Sequence, residues 1–201
     1  MVLLSTIILA RLLEKDDFGV AGYALVVIAF LDVFSDLGIG QALIYHPRDK
    51  ESSSTGFWLG VSTAIFLFLI TWAAGPWIGK YFRDDRAVSV TRLLALTFPI
   101  SALGNVHSVL LSKELQFKKK FIPEFVKAIG KGGVSIVLAV LGFGYWSLIA
   151  GQLAGTICGV VAYWLVYPWR PSFRFSIPSA RMMISYGINI VGISGLSVID
   201  R

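Results

Sequence analysis

Residues 56–79 read GFWLGVSTAIFLFLITWAAGPWIG, a run without a charged side chain. A helix rises about 1.5 Å per residue and the hydrocarbon core of a bilayer is about 30 Å thick, so roughly 20 mostly apolar residues cross it. The run reads as a membrane-spanning helix, and the pattern recurs to either side. Between residues 18 and 45 the only charges are Asp32 and Asp36, and residues 93–112 carry none. After Lys131 the next charge is Arg170, which leaves room for the rest of one span and a second complete one. Shorter apolar segments stand at 1–10 and 182–199. The expectation is an all-α polytopic membrane helix bundle: five complete spans, about seven transmembrane segments in all, the first and last incomplete.

Composition agrees. Of 201 residues, 56% are hydrophobic and 15% charged, whereas a soluble domain carries about 25% charged residues. That deficit excludes a disordered chain and argues against an ordinary soluble domain. A single cysteine, Cys158, excludes an intramolecular disulfide framework and a cysteine-rich metal site. The formal charge of +6 does not point to nucleic acid, because long apolar runs separate the charges. Residues 1–10 do not read as a signal peptide, since Arg11 and Lys15 follow the apolar stretch. They read as the second half of a first membrane helix, and 184–199 as a last helix cut short: a fragment open at both ends.

The loops alternate. One set comprises residues 14–17, 80–92 and the turn Gly142-Phe143-Gly144; the other comprises 46–54, 112–120 and 168–181. The second set, with its helix ends, holds most of the Lys and Arg, among them Arg48, Lys50, Lys113, Lys118, Lys119, Lys120, Arg170, Arg174 and Arg181. The positive-inside rule places that set in the cytoplasm, with the N-terminus. Trp72, Trp77, Tyr81, Tyr145, Trp146, Tyr167 and Trp169 cluster at span ends, where an apolar ring body and polar tip suit the headgroup region.

Ionisable groups within spans are costly and serve as functional candidates. Asp32 and Asp36, four residues apart, share one face of the second span. They either line a polar cavity or, for Asp36, cap the helix near Gly38 and bond a neighbouring helix. In the fifth span Glu124, Lys127, Lys131 and Ser135 form one polar stripe. Two lysines on a cavity wall favour an anionic group; alternatively Lys127 pairs with Glu124 and reaches for the headgroups. Ser101, Asn105, Ser108 and Ser112 share a face of the fourth span, and His107, one residue off it, is weighed as a pH sensor. Gly151, Gly155 and Gly159 repeat every fourth residue on the sixth span, a seam for close helix approach flanked by Gln152 and Thr156. There is no phosphate-binding G-x-x-x-x-G-K-[ST] loop, no H-E-x-x-H and no G-x-S-x-G. An enzyme is not expected, nor a metal or cofactor.

Several local patterns, in order along the chain, resemble one known family. ARLLEKDDFG at 10–19 is similar to the outer turn after the first helix of bacterial polysaccharide exporters. Residues 34–44, with Phe34, Asp36, Leu37, Gly38, Ala42, Leu43 and Ile44, resemble their F-x-D-L-G-x-x-x-A-L-I second-helix signature. TGFW at 55–58 resembles the entry to their third helix, and LQFK at 115–118 the loop after the fourth. GFGYWSL at 142–148 resembles the turn between helices five and six. WRP at 169–171 and FRFS at 173–176 resemble the loop leading to helix seven.

The family is that of lipopolysaccharide and exopolysaccharide flippases, the polysaccharide transport proteins of the MOP exporter superfamily. The resemblance implies about twelve to fourteen helices in two pseudo-symmetric lobes. Residues 1–168 would form the N-terminal transmembrane lobe, and 169–201 a cytoplasmic linker with the start of the second lobe. It implies export of an undecaprenyl-diphosphate-linked oligosaccharide across the bacterial inner membrane by alternating access, among membrane lipids and other polysaccharide-assembly membrane proteins. Lys127 and Lys131 are then candidates for the diphosphate or acidic sugars, on position alone. Asp32 and Asp36 are candidates for a coupling ion or as lysine partners, and Asn105 and Gln152 for sugar hydroxyls. A multidrug exporter of the same superfamily, with an acidic cavity, and a membrane-embedded polysaccharide-assembly enzyme, with a large outer loop, are the alternatives.

Overall fold

The computed structural model describes residues 2–35, 40, 43, 50–173 and 175–185. Among them the chain forms helices and turns and no strand: α1 (Val2–Leu12), α2 (Lys15–Ser35), α3 (Lys50–Phe82), α4 (Asp85–Ala95), α5 (Thr97–Lys113), α6 (Phe117–Val140) and α7 (Tyr145–Val166). Residues 177–185 are also helical. The all-α bundle expected from the hydropathy pattern is the fold observed. By length and composition three helical stretches can cross a membrane: Glu51–Phe82, Asp85–Lys113 and Tyr145–Val166. The chain is a membrane protein. α6 forms where the fifth span was expected, but Glu124, Lys127 and Lys131 interrupt its apolar character. Asp36, the rest of the second-helix signature and the segment 186–199 lie outside the described residues.

Helices extend further into the loops than hydropathy suggests. The expected loop 80–92 is a turn at Arg83 and Asp84, after which α4 begins. Asp84 explains the restart. With extended backbone at φ −142°, its side chain accepts from the Arg86 amide at 2.9 Å and caps α4. The expected loop 112–120 shrinks likewise to Glu114–Gln116 between α5 and α6. Helix α4 parts from α5 at Leu96, three residues before Pro99. Proline has no N–H to offer the Ala95 carbonyl and its ring crowds that turn, so the ladder tightens there. The Leu96 amide donates instead to Leu93, and the Thr97 hydroxyl to the Leu94 carbonyl at 2.6 Å.

Packing places small and hydroxylated residues inside and large apolar ones outside, as lipid demands. On α3 the buried face carries Ala64, Leu67, Thr71, Gly75 and Gly79, while Phe66, Leu69, Trp72 and Trp77 are exposed. Thr71 returns its hydroxyl to the Leu67 carbonyl at 2.7 Å, which satisfies it without water. Three clusters join the helices: Val20, Val90, Leu94 and Ile149 unite α2, α4 and α7; Ala64, Leu67, Ala95, Phe98 and Ala102 unite α3 with α4 and α5; Leu9, Leu13 and Ala139 unite α1 and α6.

Both ends of the bundle are fastened by residues from the recurrent patterns. At one end Asp17 reaches across the fold. Its Oδ1 accepts from the Tyr145 amide at 3.0 Å, and its Oδ2 from the Glu14 amide at 3.2 Å. Gly144 lies beneath with φ +53°, where a Cβ would sit 2.9 Å from Asp17 Oδ1, so only glycine fits this turn. Beside it Arg86 bridges Asp16 at 2.7 Å and Asp84 at 3.0 Å. The Arg86 hydrogen bonds hold the Asp84 carboxyl below its ordinary range. At the other end the segment after α7 lies over α3 and α5. Trp58 Nε1 donates to the Ser172 carbonyl at 3.0 Å, and His107 Nε2 donates to the Trp169 carbonyl at 3.1 Å. His107, packed against Trp164 and Trp169 and fully buried, is a brace for this segment.

Asp17→Ala leaves the Tyr145 and Glu14 amides without their acceptor, a loss of about 1 kcal/mol by analogy with helix caps. The melting temperature of the purified protein should fall by a few degrees, and by less for Asp17→Asn. Arg86→Ala, at an exposed pair, should shift it less than Asp17→Ala. A depressed carboxylate pKa contributes stability above the ordinary value of 3.8, lost as pH falls through the folded value. The Arg86→Ala difference should therefore be the same at pH 6 and pH 8; a difference that changes between them would contradict this account.

Candidate functional site

The polar faces of α5, α6 and α7 converge on one cleft. From α5 come Ser101, Asn105 and Ser108; from α6, Glu124 and Lys127; from α7, Thr156 and Tyr163, with Gly104, Gly159 and Val160 behind them. Its volume is about 70 Å³, room for several waters. Glycines make the convergence possible. A Cβ on Gly104 would lie 3.1 Å from Val160 Cγ2, and one on Gly159 would lie 3.0 Å from Lys127 Cβ.

The seam of α7 and the polar stripe of α6, read separately in the sequence, are two sides of one contact. Gly151 faces Ser135, Gly155 faces Lys131 and Gly159 faces Lys127. At Gly155 an added Cβ would fall 2.7 Å from Lys131 Cβ and 2.8 Å from the Lys127 carbonyl oxygen. The lysine stems thus lie on bare backbone.

Within the cleft the Tyr163 hydroxyl donates to Glu124 Oε1 at 2.7 Å and stands 3.2 Å from the Ser108 hydroxyl. Ser101 and Thr156 spend their protons on the Phe98 and Gln152 carbonyls, leaving their oxygens as acceptors. The ladder continues beyond the cleft, with Lys120 donating to Ser112 Oγ at 2.7 Å and Tyr167 to Glu114 Oε1 at 2.7 Å. The expected Lys127–Glu124 pair does not form; Glu124 is engaged by Tyr163. Among the described residues neither Lys127 nor Lys131 has an ion-pair partner.

Of the sequence candidates, Asn105 and Lys127 meet in the cleft. Lys131 shares the α6 stripe one turn along, but is exposed and does not line the cleft. Gln152 is half-buried one turn from Thr156, and its Oε1 is buried without a hydrogen-bond partner among the described residues. Asp32 lies on α2 with its side chain outside the description, and Asp36 is outside altogether. Tyr163 had no place in the sequence reading. Its one signal was a spacing of seven from Thr156, which puts both on one face of α7. Ser101 and Ser108, which share the Asn105 face of the fourth span, also line the site. Among the described residues no three of His, Cys, Asp and Glu come together as metal ligands.

A family model described as polysaccharide biosynthesis protein matches residues 8–201. The succinoglycan biosynthesis transport protein ExoT of Rhizobium meliloti is 25% identical over 92% of this chain and 38% of its own length. The teichuronic acid biosynthesis protein TuaB of Bacillus subtilis is 27% identical over 79% of this chain and 33% of its own. The lipopolysaccharide biosynthesis protein WzxC of Escherichia coli is 27% identical over 90% of this chain and 37% of its own. This chain spans little more than a third of these relatives. No solved structure matches it.

The glycine contacts yield a direct expectation. Gly155→Val drives a side chain into the Lys127 carbonyl, and such overpacking costs about 1–3 kcal/mol. The melting temperature should drop by several degrees, whereas Gly133→Ala, where an added Cβ meets nothing within 4 Å, should leave it unchanged or raise it.

Proposed function

The chain belongs to the polysaccharide biosynthesis protein family, and on that premise we propose that it is part of a transporter that exports a lipid-linked oligosaccharide. The cargo is an undecaprenyl-diphosphate-linked repeat unit of O-antigen, capsule or exopolysaccharide, moved by alternating access and without chemical conversion. The observation that carries the reading is the cleft between α5, α6 and α7, where Lys127 makes no ion pair among the described residues. A lysine at membrane depth costs about 2.5–3.5 kcal/mol on insertion scales, and the nearby carboxylate of Glu124 is held by Tyr163. The arrangement suits an anionic group such as a diphosphate. Asn105, Ser101, Ser108 and Tyr163 offer hydrogen bonds to sugar hydroxyls, while the isoprenoid tail stays in the bilayer.

In this reading Lys131 and Gln152 extend the path beyond the cleft, and Asp32 and Asp36 serve the coupling ion or the lysines. Residues 1–168 form an N-terminal lobe and 169–201 lead into a second. The protein is a multi-pass component of the bacterial inner membrane with a cytoplasmic N-terminus, alongside other polysaccharide-assembly membrane proteins. A cation-selecting multidrug site fits less well, because the carboxylate in the cleft is already committed.

The full-length gene should restore surface polysaccharide to at least one strain lacking its O-unit or capsule flippase; failure across several such strains would refute the proposal. Losing a charge-assisted hydrogen bond costs about 1.5–3 kcal/mol, about tenfold or more in an equilibrium. Lys127→Ala should accordingly cut restored polysaccharide about tenfold at unchanged protein level, with partial retention in Lys127→Arg.

A further inference from the structure

The α6–α7 pair has a second face. Opposite the cleft runs an apolar groove of about 470 Å³, lined by Ile122 and Val126 of α6 and by Ile157, Cys158, Val161 and Leu165 of α7. Ile122, Ile157, Val161 and Leu165 are exposed, and α7 is one of the stretches able to cross a membrane. Its walls offer almost nothing to a hydrogen-bonding ligand, so what fills it in a bilayer is hydrocarbon.

The mouth of the groove is of another kind. Ile122 and Val126 follow Lys118 by four and eight residues and Lys119 by three and seven, so both lysines share the groove's face of α6. The Lys118 and Lys119 side chains are exposed, and among the described residues neither makes a hydrogen bond or ion pair. Lys120, by contrast, donates to Ser112, and its i+4 and i+7 neighbours Glu124 and Lys127 line the cleft. One helix thus carries an occupied polar face and, beside it, free cations at the head of an apolar trough.

We infer that this groove binds an anionic phospholipid, one acyl chain lying along residues 157–165 and the phosphate beside Lys118 and Lys119. Charge complementarity selects the occupant. A transmembrane helix laid in the groove would satisfy the apolar walls and leave two cations unmatched, and a zwitterionic lipid would bring no net charge to them. The site is separate from the cleft and does not depend on what the cleft transports.

The test uses the full-length protein in nanodiscs of phosphatidylglycerol or phosphatidylcholine, each with a trace of the same lipid bearing a diazirine at the end of one acyl chain. Phosphatidylglycerol cross-links should map to residues 157–165 and exceed those of phosphatidylcholine. Lys118→Gln and Lys119→Gln, at exposed positions, should each lower the phosphatidylglycerol yield about fivefold without changing the phosphatidylcholine yield. Val161→Trp should abolish both by filling the trough. Equal labelling by the two lipids in the unaltered protein would overturn the inference. So would absence of lipid labelling together with Cys158 cross-links to another helix of the chain or to a second copy.

Discussion

Helices in a bilayer gain little from hiding apolar surface from lipid tails that are equally apolar, so what holds them is close contact and internal hydrogen bonding. In this chain that constraint is expressed where Gly155 meets the backbone of Lys127 and the stem of Lys131. Because α7 has no side chain there, α6 lies near enough for its lysine stems to rest on bare backbone. That distance sets the width of the polar cleft on one side and the depth of the apolar groove on the other. A larger residue would widen one and erase the other at once.

The same contact shows what the sequence could disclose. Both halves were visible in it: a period-four glycine repeat on one segment, a polar stripe on another. Their juxtaposition was not, because neither pattern specifies its partner. The helical class and three of the spans followed from the apolar runs, whose lengths the bilayer dictates. The loop at 80–92 was misread because charge density is a poor guide to where a membrane helix ends; Asp84 caps a new helix two residues after the last one stops. Of the site, Asn105 and Lys127 were legible as polar residues in apolar runs. Tyr163 was hidden because an aromatic in an aromatic-rich helix carries no sign of which way its hydroxyl turns. Lys131 was a candidate on position alone, as part of the same polar stripe, and one turn of helix sets it outside the cleft lining.

The short patterns that resemble a known family also gain a physical meaning. Asp17, in the first of them, accepts the amide of Tyr145, in a later one. Trp58 donates to the carbonyl of Ser172, between the two patterns of the segment after α7. These two pairings fasten opposite ends of the bundle. The cleft residues sit between the fastenings.

One of those fastenings constrains the order in which the molecule can be completed. Asp17 and Tyr145 are 128 residues apart in sequence. A chain that enters the membrane from its N-terminus exposes the corner between α1 and α2 long before the turn that covers it is synthesised. Until α6 and α7 arrive, the Asp17 carboxylate has only the Glu14 amide to hold. The late hairpin therefore closes the early corner.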